Sequence, residues 1–321
     1  ARIETNLNMK FDLEHAKVTP FDGSKLEEFF KEMEFRTLVG KVSAISGGAP
    51  AATETSAPKT GKTKSGQMTM FVNEPQVATE IKPANIEVII VDDEAKLKGL
   101  AKELGNASII SFDTETTDTD EMRADLVGIS LAVKEGTGYY IPIGHTAGNN
   151  LPLEKVIAAI TPAMTNPKIG KLAHNAKYDY IMLARHGLTV SPLTFDTMLA
   201  EFIVDPSSRN LGLKNLSEYR LGEKMTHIED LIGKGKKQVS MAEVAVETVA
   251  NYAAADAETT LRLMPIEEAE LERVGGRKIH DEIDMPLSAV LAEMEMTGAK
   301  IDTEFFGGMS AELAGRLAEI E

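Results

Sequence analysis

The chain has 321 residues, of which 43% are hydrophobic and 26% are charged, and its formal net charge is −16. This composition is typical of a globular protein with one large or two smaller domains, and the acidic balance argues against coating nucleic acid through bulk electrostatics. The absence of Cys excludes a disulfide framework and Cys-ligated zinc and favours a reducing cytoplasm, and no apolar run is long enough to span a membrane.

The first 82 residues fall into two parts. Within residues 1–42, Ser24 and Glu27 form a capping-box pair, and the apolar residues that follow recur at helical spacing, which predicts an amphipathic helix. Residues 43–67 are rich in Ala, Ser, Thr, Gly, Pro and Lys, and we expect a flexible linker over 43–82. Because the chain begins without an initiator Met, we expect it to be a fragment or a processed chain.

An α/β pattern begins near residue 85. Short apolar runs predict strands at 86–91, 107–113, 126–133, 138–143, 168–173 and 193–195. Helical patterns lie at 153–164, 176–186 and 196–204, and most of the chain from there to 273 is helical. Two further helices follow, one after Pro286 that ends at Gly298 and one that begins near Ser310. Together these elements predict a mixed sheet flanked by helices.

Two carboxylates stand at the end of an apolar strand, in the segment Ile109 to Thr116. Strand alternation puts Asp113 and Glu115 on one face, with Thr114 on the other. Two carboxylates on one face are hard oxygen ligands suited to a divalent cation. The alternative interpretation is a solvated strand end that carries two acidic residues.

Two further segments carry carboxylates at helical positions. Asn175 precedes Asp179 at the start of a predicted helix, where an Asp is also favourable for the helix dipole alone. Tyr252 and Asp256 are four residues apart and therefore share one helical face. The residues between them are all Ala, so little bulk would prevent this helix from approaching the sheet, although an exposed Asp beside a half-buried Tyr remains the alternative.

The three segments, in this order, form the motif set of the tyrosine-type four-carboxylate exonucleases. Their surroundings resemble the proofreading domain of bacterial family A DNA polymerases, the DNA polymerase I type, which implies a ribonuclease-H-like fold over residues 83–275. By the same resemblance, residues 1–42 correspond to the end of a 5′-nuclease region and residues 276–321 to the start of the polymerase thumb. The polymerase palm would lie beyond the end of this chain.

The resemblance also implies a mechanism with two divalent cations, Mg²⁺ or Mn²⁺. Asp113 would bridge the two ions, Glu115 and Asp256 would complete the shell of the first, and Asp179 would serve the second. Tyr252 would orient the attacking water, because its ordinary pKa near 10 makes it a poor base at neutral pH. The expected reaction is proofreading hydrolysis of single-stranded or frayed DNA 3′ ends, which releases nucleoside monophosphates.

We expect DNA contacts from Thr114, Asn175, Arg209 and Lys214. The segment 209–237 has a local excess of seven Lys or Arg over four acids, which favours phosphate binding, although each could equally lie in a solvated loop. We expect a monomer that is cytoplasmic and nucleoid-associated, with the polymerase and 5′-nuclease domains of a parent chain as partners. Two alternatives stay open: an RNA 3′-end exonuclease of the same catalytic type, and a catalytically silent structural module.

Overall fold

The computed structural model describes residues 23–32, 82–83, 86–235 and 238–320. The chain divides into two units, residues 1–77 and 78–321. The described part of the first unit is helix α1 (Gly23–Glu32), where the sequence predicts an amphipathic helix. The predicted linker lies outside the described residues, except for its last residue, which begins a strand.

The second unit is built on a six-stranded sheet. Its strands in chain order are β2 (Glu87–Ile90), β3 (Ile109–Thr116), β4 (Leu126–Lys134), β5 (Thr137–Pro142), β6 (Gly170–Ala173) and β7 (Leu193–Asp196). In space the order is β2-β5-β4-β3-β6-β7, and within this sheet only β4 runs antiparallel to its neighbours. The short strands β1 (Lys82–Pro83) and β8 (Glu223–Lys224) pair separately.

Helices pack on both faces of the sheet. The helices of this unit are α2 (Glu94–Gly105), α3 (Leu153–Met164), α4 (Ala176–Arg185), α5 (Thr197–Val204), α6 (Leu213–Leu221), α7 (Ile228–Ile232), α8 (Val246–Val274), α9 (Met285–Thr297) and α10 (Thr303–Ile320), of which α10 is exposed along its whole length. The adjacent residues Tyr139 and Tyr140 of β5 point to opposite faces, so the first packs with α2, α3 and α4 and the second with α8. Among the helices that the structure describes, none has both the length and the apolar content needed to cross a membrane.

The predicted strands are all present, with ends shifted in several cases, whereas one helix was not predicted and two elements differ from their predicted bounds by three residues or more. Helix α2 was not predicted, because its short apolar stripe is interrupted by Lys and Glu, yet Asp93 caps it and its leucines are buried. Strand β3 extends three residues further than predicted, to Thr116. Helix α10 begins at Thr303 instead of Ser310, because the Asp302 side chain accepts a hydrogen bond from the Phe305 N–H at 2.9 Å.

The chain after residue 275 continues to pack on the same unit. Ala292 of α9 is fully buried in the core that includes α4, and Lys177 of α4 forms an ion pair with Glu295 of α9. The predicted boundary at 275 is therefore not a gap in packing. The assignment of residues 276–321 to another domain stays a prediction.

Candidate active site

Asp113 and Glu115 lie side by side on β3, in the middle of the sheet. Both line the same cavity, and so does Thr114 between them, which the alternation predicted on the other face. The strand does not end at Asp113 as predicted, because its pairing with β4 continues through both carboxylates to Thr116. Ser130 stands opposite Asp113 in that pairing and donates its hydroxyl to the carbonyl and one carboxylate oxygen of Asp113, at 3.3 and 3.4 Å. The sheet itself therefore positions this pair.

Asp179 is supplied by the first turn of α4, which begins directly after β6. Strand β6 is the parallel neighbour of β3, so this turn lies beside the end of β3 that carries the two strand carboxylates. The Thr114 backbone N–H and hydroxyl both donate to Asp179 Oδ1, at 2.8 and 2.5 Å. Asp179 is only 3% exposed, and its side chain reaches the neighbouring strand.

The turn between β6 and α4 depends on Asp196, whose role the sequence did not indicate. Asn175 in this turn has φ 61° and ψ 48°, a left-handed conformation that residues other than Gly seldom adopt. Asp196 accepts hydrogen bonds from the backbone N–H groups of Asn175 at 3.1 Å and Ala176 at 2.8 Å. It also accepts from Met198 and Leu199 at the start of α5, so one buried carboxylate holds both helix starts.

Tyr252 and Asp256 lie one turn apart on α8 and line the cavity together with the strand carboxylates. The helix approaches the sheet closely because Ala253 and Ala254 between them are small and fully buried. A Cβ added at Gly138 of β5 would lie 2.5 Å from the Ala254 carbonyl oxygen, so a larger residue there would push the helix away. This close approach agrees with the expectation from the Ala-rich segment.

The cavity that these five side chains share has a volume of about 870 Å³. Its polar lining continues along the loop after β3, through Thr116, Thr117, Asp118 and Thr119. Tyr178 fixes this loop, because its hydroxyl bonds to the Thr116 hydroxyl at 2.5 Å and to the Asp118 carbonyl at 2.7 Å. Another part of the lining is apolar and comes from Ile228, Ile232, Val239 and Met241. The sequence did not single out these loop and wall residues, since none belongs to a chemical motif.

Burial raises the pKa of all four carboxyl groups in the cavity. For Asp113 and Glu115 the pKa lies well above its ordinary range, first because of burial and then because the neighbouring carboxylates repel one another. Burial raises the pKa of Asp179 to about 7, although the hydrogen bonds from Thr114 oppose the shift. The pKa of Asp256 is also raised by burial. Ionising all four carboxyl groups together therefore costs free energy, and a bound cation would offset that cost.

Lys214, on the first turn of α6, contacts two of these residues. Its Nζ forms an ion pair with Asp256 and lies 4.1 Å from the centroid of the Tyr252 ring. Its side chain is 16% exposed and does not belong to the cavity lining. The ammonium group of Lys214 is paired with Asp256 in this structure, and its predicted role as a DNA contact stays a prediction.

The four carboxylates line one cavity, but they do not point towards a common position for an ion. Within the described ranges, no group of three or more His, Asp and Glu side chains converges closely enough to hold an ion as it stands. Two of the four are engaged elsewhere, Asp179 by Thr114 and Asp256 by Lys214. The neighbouring His174 bonds to the Thr197 hydroxyl, and burial lowers its pKa to about 4, so it is neutral.

The cations of the basic segment lie in different environments within its described part, residues 209–235. Arg220, one of the seven cations of the segment, is 12% exposed and pairs with Glu201 at 2.5 Å and Glu267 at 3.2 Å. Arg209 is exposed and lies outside the cavity lining. The two lysines at the end of the segment lie outside the described residues. Of the four predicted DNA contacts, Thr114 and Asn175 line the cavity.

Comparison with protein families matches residues 88–272 to a family model described as 3′-5′ exonuclease. The chain is 38% identical to DNA polymerase I of Chloroflexus aurantiacus over its whole length, which is 34% of that protein. It is 34% identical to DNA polymerase I of Pseudomonas aeruginosa over 74% of the chain and 27% of that protein. The chain thus spans about a third of the length of the curated relatives that it matches.

Two solved structures have a similar fold. One is the POL domain of Pol1 from M. smegmatis in complex with DNA primer-template and dNTP, with a TM-score of 0.56, 22% identity and coverage of 72% of this chain and 36% of that chain. The other is Escherichia coli RNase D, an exoribonuclease involved in structured RNA processing, with a TM-score of 0.50, 18% identity and coverage of 67% and 52%. At these identities the likeness establishes the fold alone, and the predicted ribonuclease-H-like mixed sheet is confirmed.

Proposed function

The chain belongs to the 3′–5′ exonuclease family, and we propose that it removes 3′-terminal nucleotides from single-stranded or frayed DNA as the proofreading part of a DNA polymerase. The observation that carries the proposal is one shared cavity. Three separate regions of the chain contribute side chains to its lining. These side chains are Asp113, Glu115, Asp179, Tyr252 and Asp256. Polymerase and 5′-nuclease domains in a longer parent chain belong to the same proposal, because the matched relatives extend well beyond this chain.

The donor chemistry of the cavity fits divalent cations such as Mg²⁺. Asp113, Glu115, Asp179 and Asp256 provide hard oxygen donors, and their raised pKa values reflect burial that a cation would offset. We propose that these four residues hold two cations, which supply an activated water and stabilise the leaving 3′ oxygen. Thr114 supports this role by fixing the orientation of Asp179.

Tyr252 acts in this proposal as a hydrogen-bonding group that orients the attacking water. Burial and the charge of Asp256 raise the pKa of its hydroxyl above the ordinary range. The hydroxyl therefore stays protonated at neutral pH and cannot serve as a base. A protonated hydroxyl beside the Asp256 carboxylate can still position a water through hydrogen bonding.

The cavity also has the size and lining that a terminal nucleotide needs. Its volume of about 870 Å³ lies in the range of small-molecule sites, and its lining is divided between polar and apolar residues. The polar part would meet the sugar and phosphate, and the apolar wall, formed by Ile228, Ile232, Val239 and Met241, would contact the base. An apolar wall contacts any base in the same way, which suits an enzyme that must remove every nucleotide.

The RNA exonuclease alternative has the support of the fold alone, because RNase D shares only 18% identity with this chain. The silent-module alternative is opposed by the five side chains that the cavity retains. Degradation of matched 5′-labelled DNA and RNA oligonucleotides with Mg²⁺, and with EDTA as the metal-free control, separates these possibilities. We expect stepwise loss of DNA from the 3′ end and faster removal of a mismatched than of a paired terminus.

A matched pair of variants ties the activity to the site. Asp113→Asn keeps the side-chain shape and removes a charge from the cavity, so hydrolysis should be lost while the fold is retained. Asp125→Asn makes the same change at an exposed position outside the cavity lining and should behave as the unaltered chain. Retained hydrolysis in a folded Asp113→Asn protein would remove Asp113 from the mechanism, and RNA degraded in preference to DNA would reject the substrate.

A further inference from the structure

Lys214 occupies a position that local helix energetics do not favour. It lies in the first turn of α6, where the helix dipole is positive and a cation is destabilising. The residue before this helix, Gly212, provides no side-chain hydrogen bond to the turn. The lysine is nevertheless held with its side chain only 16% exposed. Its contacts with α8, not the stability of its own helix, account for this placement.

Those contacts join Lys214 to both α8 residues of the candidate active site. Nζ forms an ion pair with Asp256, whose side chain is 9% exposed, and lies over the Tyr252 ring. An ion pair this well buried is screened little by water. One ammonium group thus fixes the carboxylate and the aromatic ring of the same helical face.

The charge balance of the cavity changes when metal ions enter. Before they enter, Lys214 provides a positive charge that faces Asp256, and the same charge partly opposes the rise that burial causes in the pKa values of Asp113 and Glu115. A divalent cation that binds Asp256 would meet this ammonium within a few ångströms. The two cationic groups compete for the same carboxylate and repel each other.

We infer that Lys214 is a built-in counter-cation that holds Asp256 and Tyr252 while no metal ion is bound and weakens the affinity of the site for divalent cations. The inference rests on the proposed function, because it needs Asp256 to be a metal ligand. The ion pair between Lys214 and Asp256 agrees with the arrangement of the carboxylates, which line one cavity and yet, among the described residues, do not converge on one point. Lys214 is in this sense a positioning residue.

Mn²⁺ binding to the chain without DNA tests the inference, measured from the electron paramagnetic resonance signal of free Mn²⁺ at about pH 8. Lys214→Met removes the charge and keeps the length of the side chain, so the dissociation constant should fall by on the order of tenfold or more. Lys214→Arg keeps the charge and should bind as the unaltered chain. The control is Lys224→Met, because Lys224 is 63% exposed and its Nζ lies 3.9 Å from Glu218.

Thermal unfolding supplies a second measurement that does not depend on catalysis. In EDTA, Lys214→Met should unfold at a lower temperature than the unaltered chain, because Asp256 loses its partner. Added Mn²⁺ should then raise the unfolding temperature of the variant by more than that of the unaltered chain. If Lys214→Met does not fold, Lys214→Gln must show the same gain in Mn²⁺ affinity.

The outcomes separate this inference from the proposed function. Equal or weaker Mn²⁺ binding by folded Lys214→Met, with normal binding by the unaltered chain, overturns the role of Lys214 and leaves the metal site standing. A chain that binds no Mn²⁺ in either form overturns the metal site and the inference together.

Discussion

Replacing Tyr252 with Phe removes a single hydroxyl from the candidate active site and leaves the ring in place. The ring packs against the core between α8 and the sheet and faces Lys214 Nζ at 4.1 Å, and Phe retains both contacts. What changes inside the chain is the environment of Asp256, whose carboxylate lies near the hydroxyl one helical turn away. We therefore expect an intact fold and a loss of stability of roughly 1.5 kcal/mol or less, the lower bound for a polar contact with a charged group.

The effect on the rate should be larger than the effect on stability. A preorganised hydrogen bond that acts on the reacting atoms is worth roughly 2.7–4 kcal/mol, on the order of a hundred- to a thousandfold in rate. A water that a cation also holds needs less orientation, so we expect a loss of about a hundredfold or less. Asp256→Asn, one helical turn away, should cost more, because it removes charge that holds the ion.

Single-turnover hydrolysis at saturating Mg²⁺ and saturating DNA measures the chemical step directly. Tyr219→Phe is the matched control, because Tyr219 is 52% exposed and lies outside the cavity lining. The raised pKa of Tyr252 also predicts that the Phe variant keeps the shape of the pH–rate profile at neutral and mildly alkaline pH. If Tyr252→Phe cleaves as fast as the parent while Asp256→Asn is inactive, the tyrosine only packs and the reasoning is refuted.

Three further changes test how the site is held. In EDTA, stability should fall as pH rises from about 4 towards 7, because the folded pKa of Asp179 is raised to about 7 and its protonated form is lost over this range. The share of Asp179 in the pH dependence measured by urea unfolding approaches about 1.4 kcal/mol per pH unit, because it is one proton, so Asp179→Asn should reduce the slope by up to this amount. An unchanged slope would contradict the assignment. Gly128→Ala puts a Cβ 2.2 Å from the hydroxyl oxygen of the buried Tyr140, so the free energy of unfolding measured with denaturant should fall by about 1–3 kcal/mol or more. An unchanged free energy of unfolding would mean that the Tyr140 ring can move aside. Asp196→Ala leaves four backbone N–H groups without their acceptor, so the free energy of unfolding should fall by at least about 3 kcal/mol and hydrolysis should slow. Normal hydrolysis by this variant would show that the Asn175 turn forms without Asp196.

Much of the fold follows from local patterns in the sequence. The strands of the central sheet were predicted because each is a short apolar run bounded by turn residues, and that signal depends on neighbours along the chain. Helix α2 escaped prediction because only three of its residues, Leu97, Leu100 and Leu104, are buried, and the remainder of the segment is mostly Lys, Glu and small residues. The additional length of β3 is a property of its pairing with β4, which no pattern inside residues 109–116 contains.

The sequence by itself determined which side chains could share a face. Asp113 and Glu115 are two residues apart on a strand, and Tyr252 and Asp256 are four apart on a helix, so backbone geometry alone sets each pair on one side. Only the tertiary structure decided what those side chains meet. Asp256 pairs with Lys214, 42 residues away in sequence, and Arg220, one of the cations of the basic segment, turns inward to Glu201. The reason is that backbone dihedral angles impose a period within an element, whereas the partner of a charge is chosen by the packing of elements that are distant in the chain.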